Sequence, residues 1–244
     1  MTVPEPDHIA KMDWRINKLS WTTAPFVDQS GQTFPAGASI TQAAQIPYDG
    51  RQIGFAIPNA TALFLDLSWR YHVEAGMWLE KAIAEADQLG QLDTDHACIF
   101  YERIMSSVIF AFTSLEAFVN EEIPDGYVYV CKEKQSTKQY DKEQIERYLS
   151  LNVKLGDVLP LALSVRSPKG KSIWNQYDKV RELRDRIIHM KTEDRAYRGT
   201  NPKSIWNALL RKPLPETHVV AKNLISYFLN AKGDPPRWFR KCPF

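Results

Sequence analysis

Cysteine is scarce in this chain: Cys98, Cys131 and Cys242 are the three in 244 residues, and no two stand at a pairing distance. That argues against a zinc ribbon or a disulfide framework and suits a reducing compartment, so a cytoplasmic chain is expected. Histidine is scarce as well. The five histidines form no H-x-x-x-H, and no C-x-x-C exists, so neither a metal centre nor a bound cofactor is expected. The eleven glycines make neither G-x-x-x-x-G-K-[ST] nor G-x-G-x-x-G. Lys169-Gly170-Lys171-Ser172 imitates the end of the first pattern, but its earlier glycine is missing. No G-x-S-x-G elbow is present either, which removes the usual hydrolase serine. Charge of one sign is not in excess: 31 basic against 29 acidic residues leave +2, so any basic surface must be local. The N-terminus lacks a basic start followed by an apolar run, so no signal peptide is expected. No stretch is read as long and apolar enough to span a bilayer, so no membrane is expected as a partner.

What is present is an ordinary globular composition, 44% hydrophobic and 25% charged, with length for one large or two small domains. Residues 1–58 stand apart. Pro4, Pro6, Pro25, Pro35, Pro47 and Pro58 interrupt them repeatedly, so sustained helix is excluded. Ser30-Gly31 and Asp49-Gly50 are candidate hairpin turns, the second between Ile46 and Ile53. The expectation is an extended arm with short strands, packed on a helical body through Trp14, Trp21 and Phe26.

From Asn59 the texture becomes helical. Asn59 or Thr61 can cap a helix over 59–89, with Gly90 as its stop. Thr94 can cap a second helix that ends before Pro124-Asp125-Gly126. Ala97, Phe100, Ile104, Val108, Phe112, Leu115 and Val119 form its core stripe. Glu116 and Asn120, four apart, share another face. Structurally, Glu116 would pair with Arg184 or another buried base. Functionally, Glu116 and Asn120 would orient an active-site Arg and His. The two readings are compatible. A short strand is expected near 127–131 and an Asp141-capped helix through about Leu151, followed by an apolar segment closed by Pro160. A final helix starts near Pro215 and stops at Gly233. Residues 233–244 form a basic-aromatic tail that either packs on its own protein or stacks on a single strand. KSIWN occurs twice, at 171–175 and 203–207, and each copy reads as a serine-capped helix start.

The stretch 171–191 organises the rest. Ile173, Tyr177, Val180, Leu183, Ile187 and Met190 mark one helical face. Arg184 falls inside that face, about 40° from Val180 at the helical step. A cation there must be paired or look into a wet cleft. Asp185 and His189 share a side, whereas Arg184 and His189 do so only if the helix distorts. His8, His72, His96 and His218 take no role.

With its upstream partner SLEAFVNEE at 114–122, this R-D-x-x-x-H helix resembles the HEPN superfamily, small helical bundles that include many metal-independent ribonucleases. The block order, E-A-F-V-N, then KL-x-x-VLP, then R-D-x-x-x-H, then one more helix, carries the resemblance over roughly 60–230. It implies a mainly α fold: a HEPN-like helical bundle at 59–232 preceded by the extended arm at 1–58. It also implies a homodimer cleft holding one Arg–His pair from each protomer. Arg184 would clamp phosphate and stabilise charge developing on phosphorus. His189 would move protons, with Asp185 fixing its ring. The nucleophile would be the RNA's own 2′-hydroxyl, giving a 2′,3′-cyclic phosphate and leaving DNA inert. Such a protein could be a toxin or antiviral effector, or work beside an antitoxin or a nucleotidyltransferase. The alternative is a bundle that binds RNA, a nucleotide or a partner protein without cutting.

Overall fold

The structure is a computed structural model and describes residues 5–28, 31–88, 90–132, 137–195, 203–233 and 235–244. Pro4, Ser30 and Leu89, which figured in the sequence reading, lie outside the described residues. Along the chain come α1 (Asp7–Ala10), β1 (Ser20–Trp21), β2 (Phe26–Val27), β3 (Thr33–Phe34), β4 (Ser39–Ile40), β5 (Ala43–Tyr48) and β6 (Arg51–Ala56). Then come α2 (Ala60–Ala84), α3 (Thr94–Glu122), β7 (Tyr129–Lys132), β8 (Thr137–Tyr140), α4 (Lys142–Tyr148) and α5 (Leu151–Val153). A π-helical turn, Lys154–Val158, leads into α6 (Leu159–Ala162), α7 (Ser172–Ile188), α8 (Thr192–Arg195), α9 (Ile205–Leu209), α10 (Thr217–Lys232) and α11 (Arg237–Arg240). The protein is mainly α, with few and short strands.

Two compact units divide the chain. The first comprises 1–63 with 235–244, and the second 64–234. In the first unit the strands pair as antiparallel two-stranded ribbons, β1 with β4, β2 with β3 and β5 with β6. Asp49 and Gly50 both have positive φ, 47° and 71°, between the Tyr48↔Arg51 pair. That is the two-residue turn whose twist matches the strands, and Asp-Gly tolerates it. The basic-aromatic tail belongs to this unit. Arg237 donates to Glu5 Oε1 at 2.6 Å and to the carbonyl oxygens of Ile9 at 2.8 Å and Met12 at 3.3 Å.

The second unit is built on α2, α3, α7 and α10. Helix α3 is central. Phe110 stacks with Phe64 and Tyr71 of α2, and Ser68 and Ser107 exchange hydroxyl-to-carbonyl hydrogen bonds of 2.7 and 2.8 Å. Phe118 meets Phe228 of α10, and Phe112 meets Tyr177 of α7. Of the expected stripe, Phe100, Ile104, Val108, Phe112, Leu115 and Val119 are buried and Ala97 is only partly so, while Ser107, Ala111, Ser114 and Phe118 join it. By length and composition α3 is apolar enough to cross a membrane, and 44% of its most apolar window is buried inside the protein. The sequence reading did not anticipate that. Its apolar side chains are used for packing against α2, α7 and α10.

Several helix ends differ from the sequence reading. The cap of α3 is Asp93, whose carboxylate accepts the His96 amide at 2.8 Å; Thr94 is already helical. Helix α2 is capped by Asn59 as expected, through the Ala62 amide, but it stops at Ala84. Gly90, at φ 78°, closes a separate turn on Asp87. The Asp141 capping box forms with Gln144, but that helix ends at Tyr148. The next three residues start afresh from Ser150 and open into the π turn. Of the two KSIWN copies only the second is serine-capped: Ser204 accepts from Asn207, whereas Ser172 is the first helical residue after Lys171. Gly233 ends α10 in the left-handed conformation that glycine tolerates.

Candidate functional site

Helix α7 delivers the expected cation. The Arg184 side chain is 28% exposed, lies 3.8 Å over the Phe112 ring centroid, and donates to Asp185 Oδ1 at 2.7 Å. Both ways of accommodating a cation on an apolar face are therefore used: an ion pair open to water, and a ring whose π face attracts positive charge. Asp185 is taken by its own neighbour and makes no side-chain bond to His189. Its tie to His189 is through the backbone, the His189 amide donating to the Asp185 carbonyl at 2.9 Å. His189 is the C-cap, at φ −114° and ψ 50°, and its imidazole is exposed with no hydrogen bond or ion pair to a described residue. The helix therefore departs from regular geometry at the histidine. No hydrogen bond joins Arg184 to His189 within the chain.

Glu116 and Asn120 do share a face, but their cation is Lys154. Its Nζ donates to Glu116 Oε2 at 3.2 Å, to Asn120 Oδ1 at 3.2 Å and to the Glu146 carbonyl at 2.9 Å. Lys154 is 2% exposed and opens the π turn. Of the two bases expected for Glu116, Arg184 or another buried one, it is the other, Lys154, that both Glu116 and Asn120 accept from. Sequence reasoning passed over this lysine. The available signal was a lone cation between Val153 and Leu155, in a segment otherwise read as apolar.

Tyr177 joins the two clusters. It is fully buried, its ring stands 6.3 Å from Phe112 and 5.0 Å from Trp174, and its hydroxyl has no hydrogen-bond partner among the described residues. Burial pushes its phenol well above the ordinary range. Arg181 pulls it back, Glu116 and Asp178 add to the rise, and Arg184 opposes it. Tyr177 therefore stays a neutral phenol, able to donate and unable to serve as a base. The sum is a polar seam between α3 and α7, with Arg184 at its open side.

Asp194 anchors the chain just beyond His189. It is buried, accepts from Arg186 Nη2 at 2.6 Å and from the Ile205 amide at 2.7 Å, and its carbonyl accepts from the Trp206 indole at 2.6 Å. Burial, the largest influence, pushes its carboxyl up. The Ile205 amide and the Arg186 guanidinium more than offset this, and the net direction is down. A carboxyl lowered on folding stabilises above its unfolded pKa of about 3.9 and ceases to do so as pH falls through the folded value. In urea titrations the stability gap between wild type and Asp194→Asn is therefore expected to be full near pH 7. It should shrink below about pH 4. A gap that is constant across that range would remove the carboxylate from this role.

Among the described residues, Glu85, Asp93 and His96 bring metal-ligating atoms together, with His96 Nδ1 3.0 Å from Glu85 Oε2 and 3.2 Å from Asp93 Oδ1. These residue types could hold a divalent cation. The arrangement also has a structural cause, since Asp93 is already the cap of α3. A motif scan could not see this group, because its members are spread over residues 85–96.

No family model, no curated protein and no solved structure matches this chain.

Proposed function

We propose that this protein is a HEPN-like, metal-independent endoribonuclease acting through Arg184 and His189. The observation that carries the reading is their placement on one element. A part-exposed guanidinium sits in the last turns of α7, and five residues later stands the C-cap residue His189, exposed and without a side-chain partner among the described residues. Five residues advance about 7.5 Å along a helix. That is the scale of one nucleotide step, so a cation on phosphate and a proton carrier beside it are compatible with a single strand. In this reading Arg184, always protonated, neutralises the phosphorane while His189 moves the proton of the 2′-hydroxyl or of the leaving 5′-oxygen. Asp185 holds the guanidinium rather than the ring. Glu116, Asn120 and Lys154 set the position of α3 against the π turn. A homodimer would supply the second Arg–His pair, and a toxin or antiviral role under an antitoxin or nucleotidyltransferase partner would suit such an activity.

The test is cleavage of a mixed RNA substrate in excess chelator by wild type and by His189→Ala. The wild type is expected to cut, leaving 2′,3′-cyclic phosphate ends. The variant should be slower by about 10²–10⁴-fold, the usual worth of a general acid or base. Equal cleavage by both, or by neither, removes the proposal.

One observation favours the second reading, a bundle that binds RNA, a nucleotide or a partner protein without cutting. The acidic and amide groups expected to support the site are committed to Lys154 and Arg184. This reading expects wild type and His189→Ala to retain RNA intact and alike.

A further inference from the structure

Where α2 gives way to α3, Glu85, Asp93 and His96 bring two carboxylates and an imidazole nitrogen within 4.8 Å of one another. Glu85 follows the last helical residue of α2, its amide donating to the Lys81 carbonyl at 3.0 Å. Asp93 caps α3, and His96 lies in that helix's first turn. The Trp78 ring packs against the imidazole, 5.1 Å between centroids, and so holds its orientation. Lys81 lies 4.4 Å over the same indole and makes no ion pair with a described residue, so it does not neutralise Glu85 or Asp93.

The atom that packing leaves unexplained is His96 Nδ1. It is shielded from water, with Glu85 Oε2 at 3.0 Å and Asp93 Oδ1 at 3.2 Å. Neither oxygen lies near enough to the ring N–H direction to accept from it, and the nitrogen has no hydrogen-bond partner among the described residues. Two oxygens flanking a ring nitrogen off its axis is the placement of ligands around a cation that sits on the axis. Zinc bound at about 2.0–2.2 Å in tetrahedral geometry sets its ligand atoms about 3.3–3.6 Å apart. The two His96 contacts therefore have to open by only about half an ångström, and Glu85, which is exposed, can supply that.

Capping does not use up Asp93. A carboxylate has about four acceptor sites, and the His96 amide takes one of them. Charge agrees as well. Two carboxylates with a neutral imidazole balance a divalent cation, and the C-terminal end of α2 adds partial negative charge beside Glu85. The opposite pole, at the start of α3, is met by Asp93 and Asp95.

We infer that Glu85, Asp93 and His96 bind a divalent transition cation of the zinc class through two oxygens and one nitrogen, stapling the end of α2 to the start of α3. Three protein ligands leave a fourth position to water. These residues are separate from Arg184 and His189, so the inference stands apart from the nuclease reading, whose chemistry uses no metal.

The probe is zinc chloride, titrated calorimetrically into the full chain without a purification tag, beside magnesium chloride. Zinc is expected to saturate at one ion per chain. His96→Ala and Glu85→Gln should each weaken it by about a hundredfold, the upper end of what even the outer partners of metal ligands are worth. Asp93→Asn separates the site from the fold. Asparagine caps a helix as well as aspartate does, so the Tm without metal should hold while zinc binds about tenfold more weakly. Cys98→Ser, which removes the exposed thiol, should bind zinc like wild type. Magnesium favours six oxygen ligands and should bind at least about tenfold more weakly than zinc. Circular dichroism of each variant checks the fold. The inference is overturned if folded wild type shows no saturable zinc binding, or if folded His96→Ala or Glu85→Gln binds zinc like wild type. It is equally overturned if Cys98→Ser abolishes binding or if magnesium binds as tightly as zinc.

Discussion

Replacing Glu116 with alanine is expected to destabilise the protein by about 3 kcal/mol, the low end of what removing one partner of a buried pair costs. The low end applies because the Glu116 side chain is itself 34% exposed, so part of the interaction is screened by water. What remains is an ammonium 2% exposed, held by one amide oxygen and one backbone carbonyl. A charge so enclosed has lost its water without regaining a counter-charge. For a chain of this size the loss corresponds to a fall in Tm of about 6–12 °C. The reverse substitution behaves differently. Lys154→Met keeps the stem's volume and removes the ion, and Glu116 can turn its carboxylate to water. Its cost is expected to stay within about 1.5 kcal/mol. Chemical denaturation of the two variants side by side measures the asymmetry. If Lys154→Met is the more damaging, Lys154 acts through its hydrogen bonds and not as a buried charge needing Glu116.

The second large effect concerns Arg184. If the guanidinium stabilises charge on phosphorus, Arg184→Ala should slow RNA cleavage by about 10²–10³-fold, the range for a lost transition-state donor. Its effect on stability should be far smaller. A cation over a ring at a partly open site is worth about 0.5–1 kcal/mol, and the Asp185 pair is screened. Separation of the two readouts is the informative part. Arg184→Lys keeps the charge but replaces a planar fork by a point charge, and it cannot lie flat on Phe112 as a guanidinium does. It should restore only part of the rate. Cleavage by Arg184→Ala at the wild-type rate would strip the residue of its proposed chemistry. A loss of fold matching the loss of rate would make it a packing residue.

Much of the architecture was legible because it depends on neighbours in sequence. The three- and four-residue stripe of α3, the Asp49-Gly50 turn, the Asp141 cap and the Gly233 stop each need only a few adjacent residues. The errors fall where two local options compete. Asp93 displaces Thr94 as a cap because its carboxylate reaches the His96 amide. Lys171 rather than Ser172 occupies the cap position of α7. The apolar run of α3 was read as a core stripe, and that its length and composition also qualify it as a membrane span was missed. At the candidate site the sequence identified a problem without its solution. Arg184 on an apolar face had to be compensated, but nothing local names Phe112, 72 positions earlier, as the ring beneath it. Glu116 was recognised as needing a base, and Lys154, 38 residues on, was hidden in a break between two short helices that no pattern announced.

Residues at both extremes of the sequence share one compact unit, with 171 intervening positions forming the other. During synthesis the Glu5 carboxylate and the Ile9 carbonyl are made 232 and 228 residues before the guanidinium that grips them. The larger body can condense while the smaller still waits for its final strap, so assembly order is reversed relative to the usual first-made, first-folded sequence.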